Sequence, residues 1–190
     1  MKAIFIDLET THTNSRDGAI TEIAAIGTNN NHEVFTFESH VRPHPEAVIA
    51  DEALAVQGIT RRDLDTFPIH TVVFDQFITF LNVFIDRYDK LDKALFIAHN
   101  AHFDSKFIEN WFKRNGNRFY GAYFHRPYIC TYILSLYHLQ DKWIDLPDHK
   151  LATLASYMQI HFPTTGMLHS AMYDVELCRG IYNYIRTGAR

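Results

Sequence analysis

Four acids and one histidine stand where their types and spacing could do chemistry. Asp7 and Glu9 lie two apart in the β-prone run Ile4-Phe5-Ile6-Asp7-Leu8-Glu9-Thr10-Thr11. Side chains of a strand alternate faces, so both carboxylates point the same way. Carboxylates are rarely buried unless paired or bound to a cation, and a hard divalent ion suits two on one apolar strand. The plain alternative is a pair of solvated strand-end residues. The cation reading therefore requires further ligands from elsewhere in the chain.

Two later clusters could supply them. His99-Asn100-Ala101-His102-Phe103-Asp104 lies between a short apolar strand and a helix, where α/β sheets place ligand sites. Taken alone, Asp104 in a first helical turn would simply complement the helix dipole, worth about 0.3–1 kcal/mol. His99 and His102 raise structural zinc, but no Cys or third His follows at a matching spacing. His169-Ser170-Ala171-Met172-Tyr173-Asp174 opens the final helix. Residues five apart differ by about 140° around a helix. His169 and Asp174 thus share a site only if His169 belongs to the lead-in loop. Asp174 falls on the face of Ala171, Cys178 and Ile181, which reads as the buried side, so it too needs a partner.

The elements that must position these groups follow from periodicity. After the first strand, residues 10–18 are turn-like, and 19–28 and 33–41 read as a second and third strand joined by Asn29, Asn30 and Asn31. Short turns between them imply an antiparallel meander. Residues 47–57 form a helix ending at Gly58, and 60–64 a further single turn. Pro68 opens a helix to about residue 86, with Val73, Phe77, Phe80 and Phe84 at helical spacing. Residues 94–98 are a wholly apolar strand of the kind covered on both faces. A helix over 103–114 carries Phe103, Phe107 and Trp111 on one stripe. Residues 128–131 are a last strand, followed by a helix to about 139, a loop over 141–148 and a short helix over 150–158. A loop over 162–168 and a closing helix over 170–186 complete the chain. Strands first, then alternating helix and strand, predict an α/β fold: a mixed sheet of about five strands, the first three antiparallel, flanked by helices.

The 190 residues are expected to form a single domain with one good-sized core. Hydrophobic content of 47% with 21% charged residues excludes a disordered chain. Cys130 and Cys178 make no disulfide framework, the start is too short for a signal peptide, and the apolar run over 77–85 is too short to span a bilayer. A cytoplasmic protein without a membrane partner is expected. The net charge of -4 weighs against tight non-specific nucleic-acid binding. Setting four metal-binding acids aside from the 22 Asp plus Glu leaves as many acids as the 18 Lys plus Arg, and bound divalent cations would bring the total to about zero.

The three clusters, in this order and context, closely resemble the motifs of the DnaQ-like exonucleases of the DEDDh type, which have an RNase H-like fold. The resemblance covers nearly the whole chain and extends to Arg42-Pro43, Gly58-Ile59-Thr60, Ile129-Cys130-Thr131 and Lys150-Leu151-Ala152-Thr153-Leu154-Ala155. Proofreading subunits of bacterial replicative polymerases and exonuclease X are the relatives it suggests. Two positions depart from the family's usual pattern: His12 where Gly often follows the two threonines, and Gln57 where His often precedes the Gly-Ile pair.

The resemblance implies 3′→5′ removal of nucleoside 5′-monophosphates from DNA, single-stranded by preference. Two Mg²⁺ ions about 3.5–4 Å apart would stabilise the attacking and leaving oxygens of an in-line displacement, and Mn²⁺ would substitute. Asp7, Glu9, Asp104 and Asp174 are the implied ligands, Asp7 bridging the ions, and His169, with an ordinary pKa near 6.5, is the implied general base. The implied substrate contacts are Thr10, Thr11, Ile59, His99, Asn100 and Phe103, and the implied partner is a nucleic-acid 3′ end. Residues 119–128 mix aromatics with Arg118 and Arg126; they read first as an aromatic edge of the core and second as a single-strand stacking platform. RNA is the alternative substrate, because no residue can be tied to a 2′-hydroxyl. An inactive nucleic-acid-binding module is the remote alternative, since all five site residues are present. No segment past the last helix is set aside for docking a polymerase, and neither a polymerase nor a second copy of the chain is specified as a partner.

Overall fold

The computed structural model describes residues 1–160 and 170–188. Its centre is β1 (Lys2–Thr10), paired antiparallel on one side with β2 (Ile20–Asn29) and parallel on the other with β4 (Leu95–Ala98). β3 (His32–His40) pairs antiparallel with β2, and β5 (Ile129–Cys130) parallel with β4. The strand order is therefore β3-β2-β1-β4-β5, the expected meander extended by two parallel strands.

Period-two alternation divides β1 between two cores. Ile4, Ile6 and Leu8 pack into one cluster with α3 (His70–Phe84) and α4 (Ala101–Arg114). Ala3 and Phe5 face the other, built with α7 (Leu151–Tyr157) and α8 (Ala171–Thr187). Asp7 and Glu9 continue the second face toward α8, so the alternation itself carries two acids to the α8 side. On the first face, Phe74 meets Trp111 edge-on with ring centroids 5.1 Å apart, and Phe77 stacks on Trp111 at 5.8 Å. These contacts lock α3 to α4 and hence hold the start of α4 beside the sheet end.

Shorter elements fill the connections. α1 (Asp51–Gln57) ends at Gly58 in the left-handed conformation, φ 69°. α2 (Arg61–Leu64) carries a capping box between Thr60 and Asp63. α5 (Tyr120–Tyr123) and α6 (Thr131–His138) flank β5, and a 3₁₀ turn (Trp143–Asp145) interrupts the expected loop.

Three helix starts differ from the sequence reading by two residues or more. α1 begins at Asp51, not at 47, because the preceding segment is stapled to the end of β1: Ala50 N–H donates to the Thr11 carbonyl, and the Thr11 hydroxyl donates to the Val48 carbonyl at 2.7 Å. α3 begins at His70, not at Pro68, because the Pro68 carbonyl accepts from Arg42 N–H and Ile69 forms an isolated bridge with Arg42. α4 starts two residues earlier than expected, at Ala101. Asn100, in left-handed backbone at φ 62°, turns the chain into it. The predicted loop over 162–168 and His169 lie outside the described residues. Among the described residues no helix is long and apolar enough to cross a membrane.

Candidate active site

Topology gathers the acids at one end of the sheet. β1, β4 and β5 run parallel, so their carboxyl ends coincide, and antiparallel β2 begins where β1 ends. Asp7 pairs in register with Ala24, and Glu9 with Glu22. α4 starts directly after β4 and carries Asp104 in its first turn, while α8, packed on β1 and β2, carries Asp174 in its own. Four sequence-predicted acids thus reach one place from three elements.

Their electrostatics show how closely they are grouped. The carboxyl of Asp7 is held well above the usual carboxylate range, first by burial and then by the charges of Asp104, Asp174, Glu9 and Glu22. Glu9 is pushed up to about 7 by burial, with Glu22 and Asp174 adding to it. Asp104, only 2% exposed, is raised by burial and by Glu9 while accepting hydrogen bonds from its own N–H and that of Leu8. Its Oδ2 is buried without a hydrogen-bond partner. An orphaned buried carboxylate oxygen among like charges costs stability unless a cation or a proton meets it.

That orphaned oxygen and the all-oxygen donor set fit a hard divalent cation. Among the described residues no group of three or more His, Cys, Asp or Glu side chains is placed so that it could by itself hold a metal ion. Magnesium does not need one: it keeps several waters and binds through one or two carboxylates plus substrate phosphates.

Glu22 is a site residue that the sequence reading missed. Its Oε1 accepts a 3.1 Å hydrogen bond from Ala171 N–H at the start of α8, and its Oε2 lies 3.7 Å from His40 Nδ1. Ser170 caps the same helix by accepting from Tyr173 N–H. Two acceptors therefore fix the first turn of α8, the turn that carries Asp174. The available signal was a lone charged residue inside an otherwise near-apolar strand; its meaning depended on the Glu9–Glu22 register.

Other predicted contacts have structural duties. Thr11 is fully buried, its N–H bonded to the Ala19 carbonyl and its own carbonyl to Ala50 N–H. Gln57, standing where the family often has His, donates to the Thr10 carbonyl at 2.8 Å and the Ala53 carbonyl at 3.0 Å, and accepts from the Thr21 hydroxyl at 2.7 Å. His12 closes the following turn, accepting from Asn14 N–H; a Cβ at Gly18 would come within 2.9 Å of the His12 Cβ, so the turn requires glycine there. His99 lies 3.1 Å from the Thr131 hydroxyl and also bonds the His149 backbone, and burial pulls its pKa down to about 4. It is a neutral brace between β4, α6 and the segment before α7. Asn100 is exposed, while Phe103 and Ile59 are half-buried.

Two grooves leave this end of the sheet. One, of about 1570 Å³, runs beside β2 and β3 and is lined by Ile59, Gln57, His40, Phe67, Glu22 and Ser170. The other follows α4 toward α5. Of residues 119–128, Tyr123 and Phe124 are core, whereas Phe119 and Tyr128 are exposed, so the segment divides between the two readings of its aromatics.

Comparisons with known proteins agree with this architecture. The DNA polymerase III PolC-type of Thermotoga maritima is 28% identical over 150 residues, 78% of this chain but 10% of the polymerase. Ribonuclease T of Yersinia pseudotuberculosis is 33% identical over 114 residues, 55% of this chain and 51% of that protein. The chain thus spans only a fraction of the length of these relatives. E. coli Exonuclease I, solved in complex with a dT13 oligonucleotide, superposes with a TM-score of 0.76 at 19% identity, covering 98% of this chain and 41% of the other, and shares its fold. Residues 4–182 match the exonuclease family RNase_T. With its three acid-bearing motifs at one sheet end, the chain belongs to this DnaQ-like family of exonucleases.

Proposed function

We propose that the protein is a metal-dependent 3′→5′ exonuclease that trims single-stranded DNA, releasing nucleoside 5′-monophosphates. The observation that carries this reading is the convergence of Asp7, Glu9, Asp104 and Asp174 at one sheet end with a buried Asp104 oxygen left unbonded. These four would hold divalent ions, Mg²⁺ by preference. When bound, such ions supply a nucleophilic hydroxide at neutral pH and stabilise charge on the phosphoryl oxygens.

The chain's own residues do the rest. His169, next to the Ser170 cap, takes the proton of the attacking water. Glu22, through Ala171, holds the start of α8 so that Asp174 faces Asp7 and Glu9. The groove beside β2 receives the terminal nucleoside, with Ile59 against the base; Phe103 and Asn100 flank the scissile bond from the α4 side. Thr10 and Thr11 shape the floor through Gln57 and Ala50, and His99 keeps the β4 end in place.

A second reading takes RNA as the substrate. The similarity to a ribonuclease, 33% over 114 residues, favours it. The test is the protein with Mg²⁺ on 5′-labelled DNA and RNA strands of one sequence, alone and as duplexes. Stepwise shortening from the 3′ end is expected, fastest on single-stranded DNA. Fragments from internal cleavage would overturn the reading, and a ladder on RNA alone would select the second.

A further inference from the structure

The two grooves beside the acids carry opposite charge. The groove along β2 and β3 is lined by three carboxylates, Glu22, Glu38 and Asp63, and by no lysine or arginine. The groove on the other side is lined by Lys106, Lys113, Arg118 and Arg126, with Glu109 as its single carboxylate. Its two compartments, about 790 and 870 Å³, share Glu109, Tyr120 and Arg126 and so form one path. The path opens at Ser105, the residue after Asp104, and ends at Gly116 to Arg118.

Glu109 cannot neutralise this surface. It is shared by Lys113 at 3.2 Å, Arg126 at 3.4 Å and Lys106 at 3.7 Å, and these three cations remain largely exposed. Arg118 adds a fourth. Aromatic rings alternate with the charges: Arg126 lies over Tyr120 at 5.7 Å from the ring centre, and exposed Tyr128 is tied through its hydroxyl to His102 Nδ1 at 3.0 Å. Tyr128 is thereby held beside the motif that carries Asp104. Cations that track a backbone, with rings on which bases stack, are what a sequence-tolerant single-strand site requires. From Ser105 to Gly116, α4 and its end cover about 16 Å at 1.5 Å per residue, longer than a single nucleotide step.

We propose that the α4–α5 groove holds the strand upstream of the scissile phosphate. Lys106, Lys113, Arg118 and Arg126 meet its phosphates and Tyr128 stacks on a base, while the acidic groove admits only the terminal nucleoside. The inference rests on the exonuclease reading above and adds the direction in which the polyanion leaves the site. A protein with a net charge of -4 then engages nucleic acid through a local field rather than a global one.

The test compares wild type with Arg118→Glu/Arg126→Glu on a 12-nucleotide strand, DNA or RNA as the wild type degrades, and on a dinucleotide too short to enter the groove. KM for the 12-mer is expected to rise about five- to thirtyfold with kcat kept. The slope of log KM against log salt should flatten by about 0.7 for each lost phosphate contact. Dinucleotide hydrolysis should not follow. The pair Arg118→Gln/Arg126→Gln should shift KM in the same direction by less, and it decides the matter if charge reversal lowers the melting temperature. An unchanged KM and salt slope, or an equal loss on the dinucleotide, would overturn the groove. A wild type inert on both DNA and RNA would instead defeat the exonuclease reading, and the groove with it.

Discussion

Glu22 of β2 and Ala171 of α8 are 149 residues apart in the chain and joined by a 3.1 Å hydrogen bond at the sheet end where the acids gather. The same Glu22 faces Glu9 in the β1–β2 register and helps to raise its pKa. One carboxylate thus anchors the helix that brings Asp174 and, by its charge, makes its neighbour demand a cation.

The two roles of Glu22 separate by substitution. Glu22→Gln keeps an acceptor oxygen for Ala171 N–H and removes the charge; Glu22→Ala removes both. A hydrogen bond to a charged group contributes about 1.5–3 kcal/mol. Glu22→Ala should therefore lower the melting temperature and turnover together, with turnover down roughly tenfold for about 1.4 kcal/mol of lost alignment. Glu22→Gln should retain most of both. Equal losses in the two variants, measured by thermal melts and steady-state kinetics, would contradict an anchoring role.

Burial and like charges raise Glu9 to about 7 in the fold against an ordinary value of 4.5. Between these two values the metal-free native state holds a proton that the unfolded chain has lost, so this group's contribution to stability falls as pH rises through the window. Glu9→Gln removes the titration. In EDTA the variant should match wild type near pH 5 and exceed it near pH 8 by about 1–2 kcal/mol, after allowance for the partial exposure of the side chain. Saturating Mn²⁺ should reverse the order at pH 8, because the wild type then gains a ligand that the variant lacks. Urea melts at the two pH values, with and without the ion, measure both differences.

Gln57 makes three hydrogen bonds, two of which tie α1 to the ends of β1 and β2. Gln57→Ala leaves the Thr10 carbonyl without that partner and should cost about 1–3 kcal/mol. For a chain of this size the loss appears as a fall of roughly 2–12 °C in melting temperature. A melting temperature equal to wild type would show that water replaces the amide without cost.

Much of this architecture was legible because local pattern and global packing agree. The alternation Ile4, Ile6, Leu8 against Phe5, Asp7, Glu9 is at once a strand signal, a statement of two covered faces and the placement of two acids. Phe77, Phe80 and Phe84 similarly announced a helix that the structure buries. The misplaced starts of α1 and α3 have a common cause: residues 47–50 and Pro68 spend their backbone groups on Thr11, Asp17 and Arg42, partners distant in sequence. Glu22 was hidden for the same reason, since its meaning depends on strand register and on α8. The charge asymmetry of the two grooves lay deeper still. Lys106, Lys113, Arg118 and Arg126 are unremarkable in sequence and become one surface only when α4 is folded beside α5.

The central claim is that the acids at the end of β1 form the ion-binding heart of an exonuclease. Asp7 is pressed by all the others and is the residue on which that claim turns. The most direct measurement is the cleavage pattern of a 5′-labelled single strand with Mg²⁺ or Mn²⁺, for wild type and Asp7→Ala side by side. Wild type should give a ladder that shortens one nucleotide at a time from the 3′ end, and Asp7→Ala should give none while melting as a folded protein. A ladder undiminished in Asp7→Ala would contradict the account.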